Sequence, residues 1–382
     1  MTRIPFAWLA LPLLSLVALP GCGDDVESEG GGGATGIPIE DVPEALGTAL
    51  CASIASCYGS FSDIIYRGVD CVDNVSSDIR DGSLPIWQAD IAAGTVVYHG
   101  DKVQACADAI AAQGCGLRSE RTPSICDEAL EGQVAAGGAC QGGVECAGPR
   151  YCAFTGGVCP GVCTDLEASG AACQSDEACQ DGLVCLVDAA TGDGVCGALG
   201  GEGDTCSGDD RCAAGASCVG ADPATDTLGS CTSWSNRFTE AEGAACDPAG
   251  GQLCSEGLSC VVDGFVPGSG VTFSCSQPFA SGAACQVGFP NACPVGEYCD
   301  ADLATGMVDG MCMKSPTAGE PCYDSPAGGA VPACAPGLAC NPSGLCEGTS
   351  DLGGDCSTED FCHSGVCTSG VCAAPDRCQA EP

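Results

Sequence analysis

Seven quartets of cysteine run from Cys140 almost to the C-terminus, and their spacing limits what the chain can become. They are Cys140, Cys146, Cys152 and Cys163; Cys173, Cys179, Cys185 and Cys196; Cys206, Cys212, Cys218 and Cys231; and four more opening at Cys246, Cys285, Cys322 and Cys356. The second and third cysteines lie six residues apart in six units and five apart in the last. The step from one unit to the next is ten residues, except for fifteen between Cys231 and Cys246. A fixed period of this kind marks repeated copies of one small module. Length varies between the first and second and between the third and fourth cysteines, where loops belong. A unit such as 170–196 is polar and punctuated by glycine. It has too few large apolar side chains to fold by burial, so its cysteines must hold it.

Cysteine is 37 of 382 residues, which reads as a disulfide scaffold in an oxidising compartment. Aromatic residues are 5%, and the 45% hydrophobic total is inflated by alanine and cysteine, so no large continuous core is expected over most of the length. The formal net charge is −40, with lysine only at Lys102 and Lys314. Such a surface repels phosphate backbones and anionic lipid, which excludes nucleic-acid binding. It attracts cations such as Ca2+, or a basic partner. A solvated acidic surface that keeps an exported protein soluble is the plainer reading.

Inside the units, Gly-x-x-Cys leads into the third cysteine at Gly182–Cys185, Gly257–Cys260 and Gly337–Cys340. Asp-x-x-Thr follows at Asp188–Thr191, Asp222–Thr225 and Asp302–Thr305. Aspartate and glycine there suit a hairpin turn with a positive φ. Each unit over 136–382 is expected to be an irregular loop plus a short β-hairpin with two disulfides. An interlocked pairing, first to third and second to fourth, is the working expectation. At roughly 2–4 kcal/mol per bridge the disulfides dominate stability.

The N-terminus reads as export. Arg3 precedes an apolar run from Ile4 to Leu19, the pattern of a secretory signal peptide, too short and too broken by Pro5 and Pro12 to span a membrane well. It ends in Leu19-Pro20-Gly21-Cys22, which resembles a bacterial lipobox. The resemblance implies cleavage after residue 21 and lipidation of Cys22. Parity agrees, because setting Cys22 aside from the 37 leaves an even number that can pair completely. Residues 22–40, acidic and then glycine-rich, read as a tether of about twenty residues reaching roughly 25 Å. Gly23, with no aspartate at that position, resembles export past the inner membrane to the outer membrane or cell surface.

Residues 41–135 change period. Val42, Leu46, Leu50, Ile54 and Tyr58 form one helical stripe, with Asp41 and Glu44 as a capping box. Further helices are expected from Cys71 to about Gly82, from a Ser83 cap to Gly94 with Trp87 and Ile91 inward, from an Asp101 cap to Gly114, and from Ser124 through Leu130 to Val134. Cys51, Cys57, Cys71, Cys106, Cys115 and Cys126 make this a disulfide-stapled helical module. On one helix Cys51 and Cys57 lie about 9 Å apart along the axis, too far to bridge, so each must staple a different element. Cys106 and Cys115 flank the Gly114 turn and suit a local pair among fifteen connectivities.

The repeats resemble the Dickkopf N-terminal type of cysteine-rich repeat. With the lipobox and the helical module, nearly the whole chain resembles a family of bacterial secreted lipoproteins carrying such repeats, the resemblance resting on cysteines and glycines. It implies an extracellular protein without catalysis and carries no Wnt-pathway role. Cys159 and Cys378 fall outside the quartets and are expected to pair with neighbours and close the array.

His99 and His363 are the only histidines, leaving little for triad chemistry. No Cys-x-x-Cys or Cys-x-Cys occurs, which argues against a zinc-thiolate site and for no resident cofactor. Asp300, Asp302 and Asp309 make at most a weak Ca2+ site. Three roles stay open: a surface binding or adhesion protein, its repeats a stiff stapled rod with an unknown extracellular ligand or envelope partner; an envelope spacer; and an inhibitor of extracellular proteases acting through the long Cys260–Cys275 segment. A binding role calls for apolar residues gathered on one side, with Phe265, Phe273, Phe279 and Phe289 as candidates. Lipidation predicts that the mature protein begins at an acylated Cys22. Intact mass and fatty-acid labelling check it, and an unmodified N-terminus elsewhere refutes it.

Overall fold

The computed structural model describes residues 36–378 apart from 60–61, 63, 65, 67, 119–122, 155–157, 188–190, 209–210, 222–224, 226, 249–250, 267–269, 302–308, 323–333 and 376–377. Cys22, most of its tether and much of the three Asp-x-x-Thr turns lie outside the described residues. The described chain divides into two compact units, one of 58–70 with 200–349, the other of 36–57, 71–199 and 350–378. No helix among the described residues is long and apolar enough to cross a membrane.

The second unit opens with a helical module. Helix α1, Val42–Tyr58, follows a 3-10 turn at Ile39–Asp41. The chain is already turning before Asp41, which displaces the expected capping box. Its buried face runs through Val42, Gly47, Ala49, Ser53 and Cys57, not through the stripe of large residues; Leu46 and Leu50 flank the core, half-buried. Small residues win that face because the next helix lies close. A Cβ on Gly47 would collide with Ser76, and the Ser53 hydroxyl donates to Gly114 O at 3.2 Å.

Helix α2, Cys71–Asp78, continues past Gly82 through a π turn at Ile79–Ser83 into α3, Leu84–Ala93. A π turn adds a residue to the ring without ending the helix. Ser83 therefore lies within helical backbone and makes no side-chain cap bond. Gly94 ends α3 at φ +75°. Helix α4, Val103–Gln113, stops at Gly114 as expected, preceded by a 3-10 turn at Gly100–Lys102. The last helix, α5, is only Ser124–Ala129. Leu130–Gly132 leaves it to pair antiparallel with Val96–Tyr98, and Gly132 passes so near Cys146 that a Cβ would sit 2.5 Å from its carbonyl. That ladder overrides the helical period expected through Val134. Val42, Ala49, Val103, Cys106, Ala107, Ile110, Cys126 and Ala129 form the core.

Cys51 bonds Cys71 and Cys57 bonds Cys115, so α1 is stapled to two different elements. Cys106 reaches Cys126 rather than Cys115, tying α4 to α5.

The seven repeats share one pairing. Cys140–Cys152 with Cys146–Cys163, Cys173–Cys185 with Cys179–Cys196, and Cys206–Cys218 with Cys212–Cys231 set the order, and the remaining four repeat it. In each, the third and fourth cysteines stand directly opposite on an antiparallel hairpin yet bond elsewhere, to the first and second. The resulting small sheets of two or three strands are each stapled by disulfides.

Two glycine positions permit this. Gly137, Gly170, Gly203, Gly243, Gly282, Gly319 and Gly353, each three residues before a first cysteine, have φ between +66° and +86°. The turn they make returns the backbone to the fourth cysteine, as where Gly170 N donates to Cys196 O at 2.8 Å and Cys196 N to Ala171 O at 2.9 Å. In the first three repeats the glycine two residues before the fourth cysteine lies against the first-to-third disulfide. A Cβ there would fall 2.5 Å from Cys185 Sγ at Gly194 and 2.7 Å from Cys152 Sγ at Gly161. The lead-in to the first cysteine is tied down as well. The residue six before the first cysteine bridges to the second cysteine, as in Val134↔Cys146, Glu167↔Cys179, Gly200↔Cys212 and Ser350↔Cys362.

The one longer step, 231–246, holds an added stitch. Arg237 is buried there, stacked 4.2 Å over the Trp234 ring. It donates to Ser217 Oγ at 2.5 Å in the third repeat and to Gly251 O at 3.2 Å in the fourth.

The chain does not leave the seventh repeat as a free end. Repeats one, two and seven share a unit with the helical module, and Cys378 bonds Cys159 of the first repeat across 219 residues. Cys159 and Cys115 are the only exposed cysteines among the described residues. Thiol attack needs access to sulfur. Limited reduction should therefore label Cys159, Cys378, Cys57 and Cys115 before any quartet cysteine, as read by differential alkylation and mass mapping; early labelling of a quartet contradicts this.

Candidate functional site

A cluster of buried titratable groups lies where the seventh repeat meets α2 and its π turn. His363 Nδ1 is 2.6 Å from Asp78 Oδ1, and both side chains are mostly buried. Leu352 N donates to Asp81 Oδ2 at 2.9 Å, and Asp81 itself is buried. The hydrogen bond to Asp78 holds His363 above the ordinary histidine pKa, against burial, which lowers it; the charges of Asp78, Asp351 and Asp81 add to the rise. Burial raises the Asp81 carboxyl, the Leu352 N–H opposes it, Asp351 adds to it, and His363 and Arg80 reduce it. The arrangement is a latch of charge and hydrogen bonds between modules far apart in sequence. The other histidine, His99, pairs through Nε2 with Glu131 Oε2 at 3.1 Å on the exposed rim of the helical module. A histidine–carboxylate pair lacks the nucleophile of a triad.

Within the repeats, groups of three sulfurs such as Cys140, Cys146 and Cys163 lie within 4.8 Å of one another. These sulfurs are joined in disulfides and present no thiolates for a metal. Of the candidate Ca2+ ligands, Asp300 Oδ1 accepts Met311 N at 2.6 Å and Asp309 Oδ1 accepts Gln286 Nε2 at 3.2 Å, while Asp302 lies outside the described residues. The first two brace a sheet.

The phenylalanines do not gather on one side. Phe273 packs on the cystines of the fourth repeat and Phe279 on those of the fifth. Phe289 stands opposite Cys260 in a strand that joins the two repeats, and the Phe265 side chain lies outside the described residues. In modules without other cores, aromatic rings cover cystines.

A recurrent outward position takes their place. The residue before the fourth cysteine is Val162, Val195, Met311, Leu345 or Val371 in five repeats, and each is 38–46% exposed. Its cross-strand neighbour is the residue before the first cysteine, as Ala139, Ala172 and Ala284. In repeats three and four the position is Ser230 and Ser274, with the pairing of cysteines unchanged. Folding thus does not require an apolar residue there. Alternation around a fixed cysteine is the sequence signal that could have found it.

No family model matches the chain, and neither the curated proteins nor the solved structures give a match.

The latch makes stability depend on pH. The His363 contribution is complete below the ordinary histidine value, about 6.5, and is lost as pH rises through its raised value in the folded chain. Ionisation of Asp81, whose pKa is also raised, acts in the same direction from just above the ordinary carboxylate range. The thermal midpoint of the wild type should fall between about pH 6 and about pH 8.5, and that of His363→Asn should change less. Parallel pH profiles for the two proteins refute the assignment.

Proposed function

We propose that this chain is an exported, lipid-anchored binding or adhesion protein of the bacterial cell envelope, acting without catalysis and resembling secreted lipoproteins with Dickkopf-like repeats. The disulfides set the compartment, since bridges in this number belong to an oxidising extracellular or envelope setting. The observation that carries the binding role is the exposed apolar residue before the fourth cysteine. It recurs in five repeats although repeats with serine there pair their cysteines the same way, so the disulfide fold does not account for the recurrence. A pure spacer has no use for it.

The inhibitor reading draws less support. Cys260–Cys275, its best loop, is largely a paired hairpin, Ser259–Val266 against Gly270–Ser276, with Gly288–Phe289 added at its side. Strands so engaged have few free backbone groups for a protease cleft.

Affinity capture from the native cell surface with the disulfide-intact mature ectodomain, with and without Ca2+, should return a specific partner. Recovery of none in either condition favours the spacer.

A further inference from the structure

We infer that the outer face of the fifth repeat's sheet docks an extended, cationic amphipathic segment of a partner protein. The inference rests on the binding reading above and gives it a place. Strand Asp309–Lys314 is the middle of three, between Ala284–Gln286 and Glu297–Cys299. Cys312 is buried and turns inward to its cystine, so Asp309, Met311 and Met313 face outward together. Met311 is 44% and Met313 47% exposed. Ala284 stands opposite Met311 and Tyr298 opposite Met313, so one apolar strip crosses all three strands.

The fifth repeat is singled out by the next outward residue. After the recurrent position, the other repeats continue with Thr164, Gly197, Thr232, Ser276, Glu347 and Ala373. Only here does a second large apolar side chain follow. The recurrent residue stands alone in the other repeats, whereas here two neighbouring methionines with a tyrosine form a contiguous patch.

Spacing, charge and side-chain chemistry select the occupant. Met311 and Met313 lie about 6.8 Å apart along the strand, the period at which an extended partner presents alternate side chains. Asp309 continues the outward row, and exposed Asp300 braces Met311 N. Lys314 lies on the opposite face, across from Glu297. The chain's charge of −40 sets like against like in a second copy and favours a basic partner. Methionine is flexible and polarisable, and adapts to varied apolar side chains.

The test uses the full mature chain with its disulfides intact and short synthetic peptides of alternating Leu/Lys, Ser/Lys and Leu/Glu. The Leu/Lys peptide should bind, the other two should bind far more weakly, and Met311→Ser with Met313→Ser should weaken Leu/Lys binding about tenfold. The serines found naturally at Ser230 and Ser274 indicate that Met311→Ser will fold, and an unchanged disulfide map verifies it for the double variant. Val195→Ser in the second repeat should leave binding unchanged. Equal binding of Ser/Lys, no binding of Leu/Lys, an unaffected double variant, or an equal loss with Val195→Ser each overturns the assignment. The wider reading fails separately, when surface capture returns no partner. A captured partner that binds the double variant as tightly as wild type overturns this surface alone.

Discussion

Two interlocked disulfides do in each repeat what a hydrophobic core does in a larger domain. In the second repeat they close separations of 12 and 17 residues, and loops of that size contribute about 3 kcal/mol each, largely by restricting the unfolded chain. Because the third and fourth cysteines face each other on the hairpin but bond to the first and second, the four sulfurs gather on one side of each repeat's hairpin. The backbone rules follow from that. Glycine must lie over the first-to-third bridge in the first three repeats because nothing larger fits, as at Gly194, and a positive-φ glycine must turn the chain back toward the fourth cysteine. With the inner side taken by sulfur, the outer side is free to vary.

That division explains what could be read in advance. The quartets revealed the repeat, since the second-to-third spacing and the step between units barely change, and the interlocked pairing expected of them holds in all seven. Helix ends at Gly94 and Gly114 were legible because glycine there acts within its own turn. The buried face of α1 was not, since Ala49 and Ser53 win over Leu46 and Leu50 only where the second helix presses on Gly47. The early end of α5 has the same kind of cause: Leu130–Gly132 pairs with a strand more than thirty residues earlier.

The site was less legible than the fold. Aromatic residues drew attention as the scarce large side chains, yet Phe273 and Phe279 serve as lids on cystines. The outward valines and methionines gave a weaker signal that only the sheet alternation makes plain. The latch between His363 and Asp78 left no trace at all, its partners lying 285 residues apart.

The bond between Cys159 and Cys378 also fixes an order of events. Made from its N-terminus, the chain presents Cys159 while every cysteine of six later repeats has yet to emerge, and its partner lies beyond all six, 219 residues on. Each repeat can close on its own as soon as its fourth cysteine appears. Cys159 must remain a thiol, or be rescued from a wrong partner, throughout that time. Completion of the unit that holds the helical module therefore waits for Cys378, and a chain stopped before it would carry an unpaired Cys159.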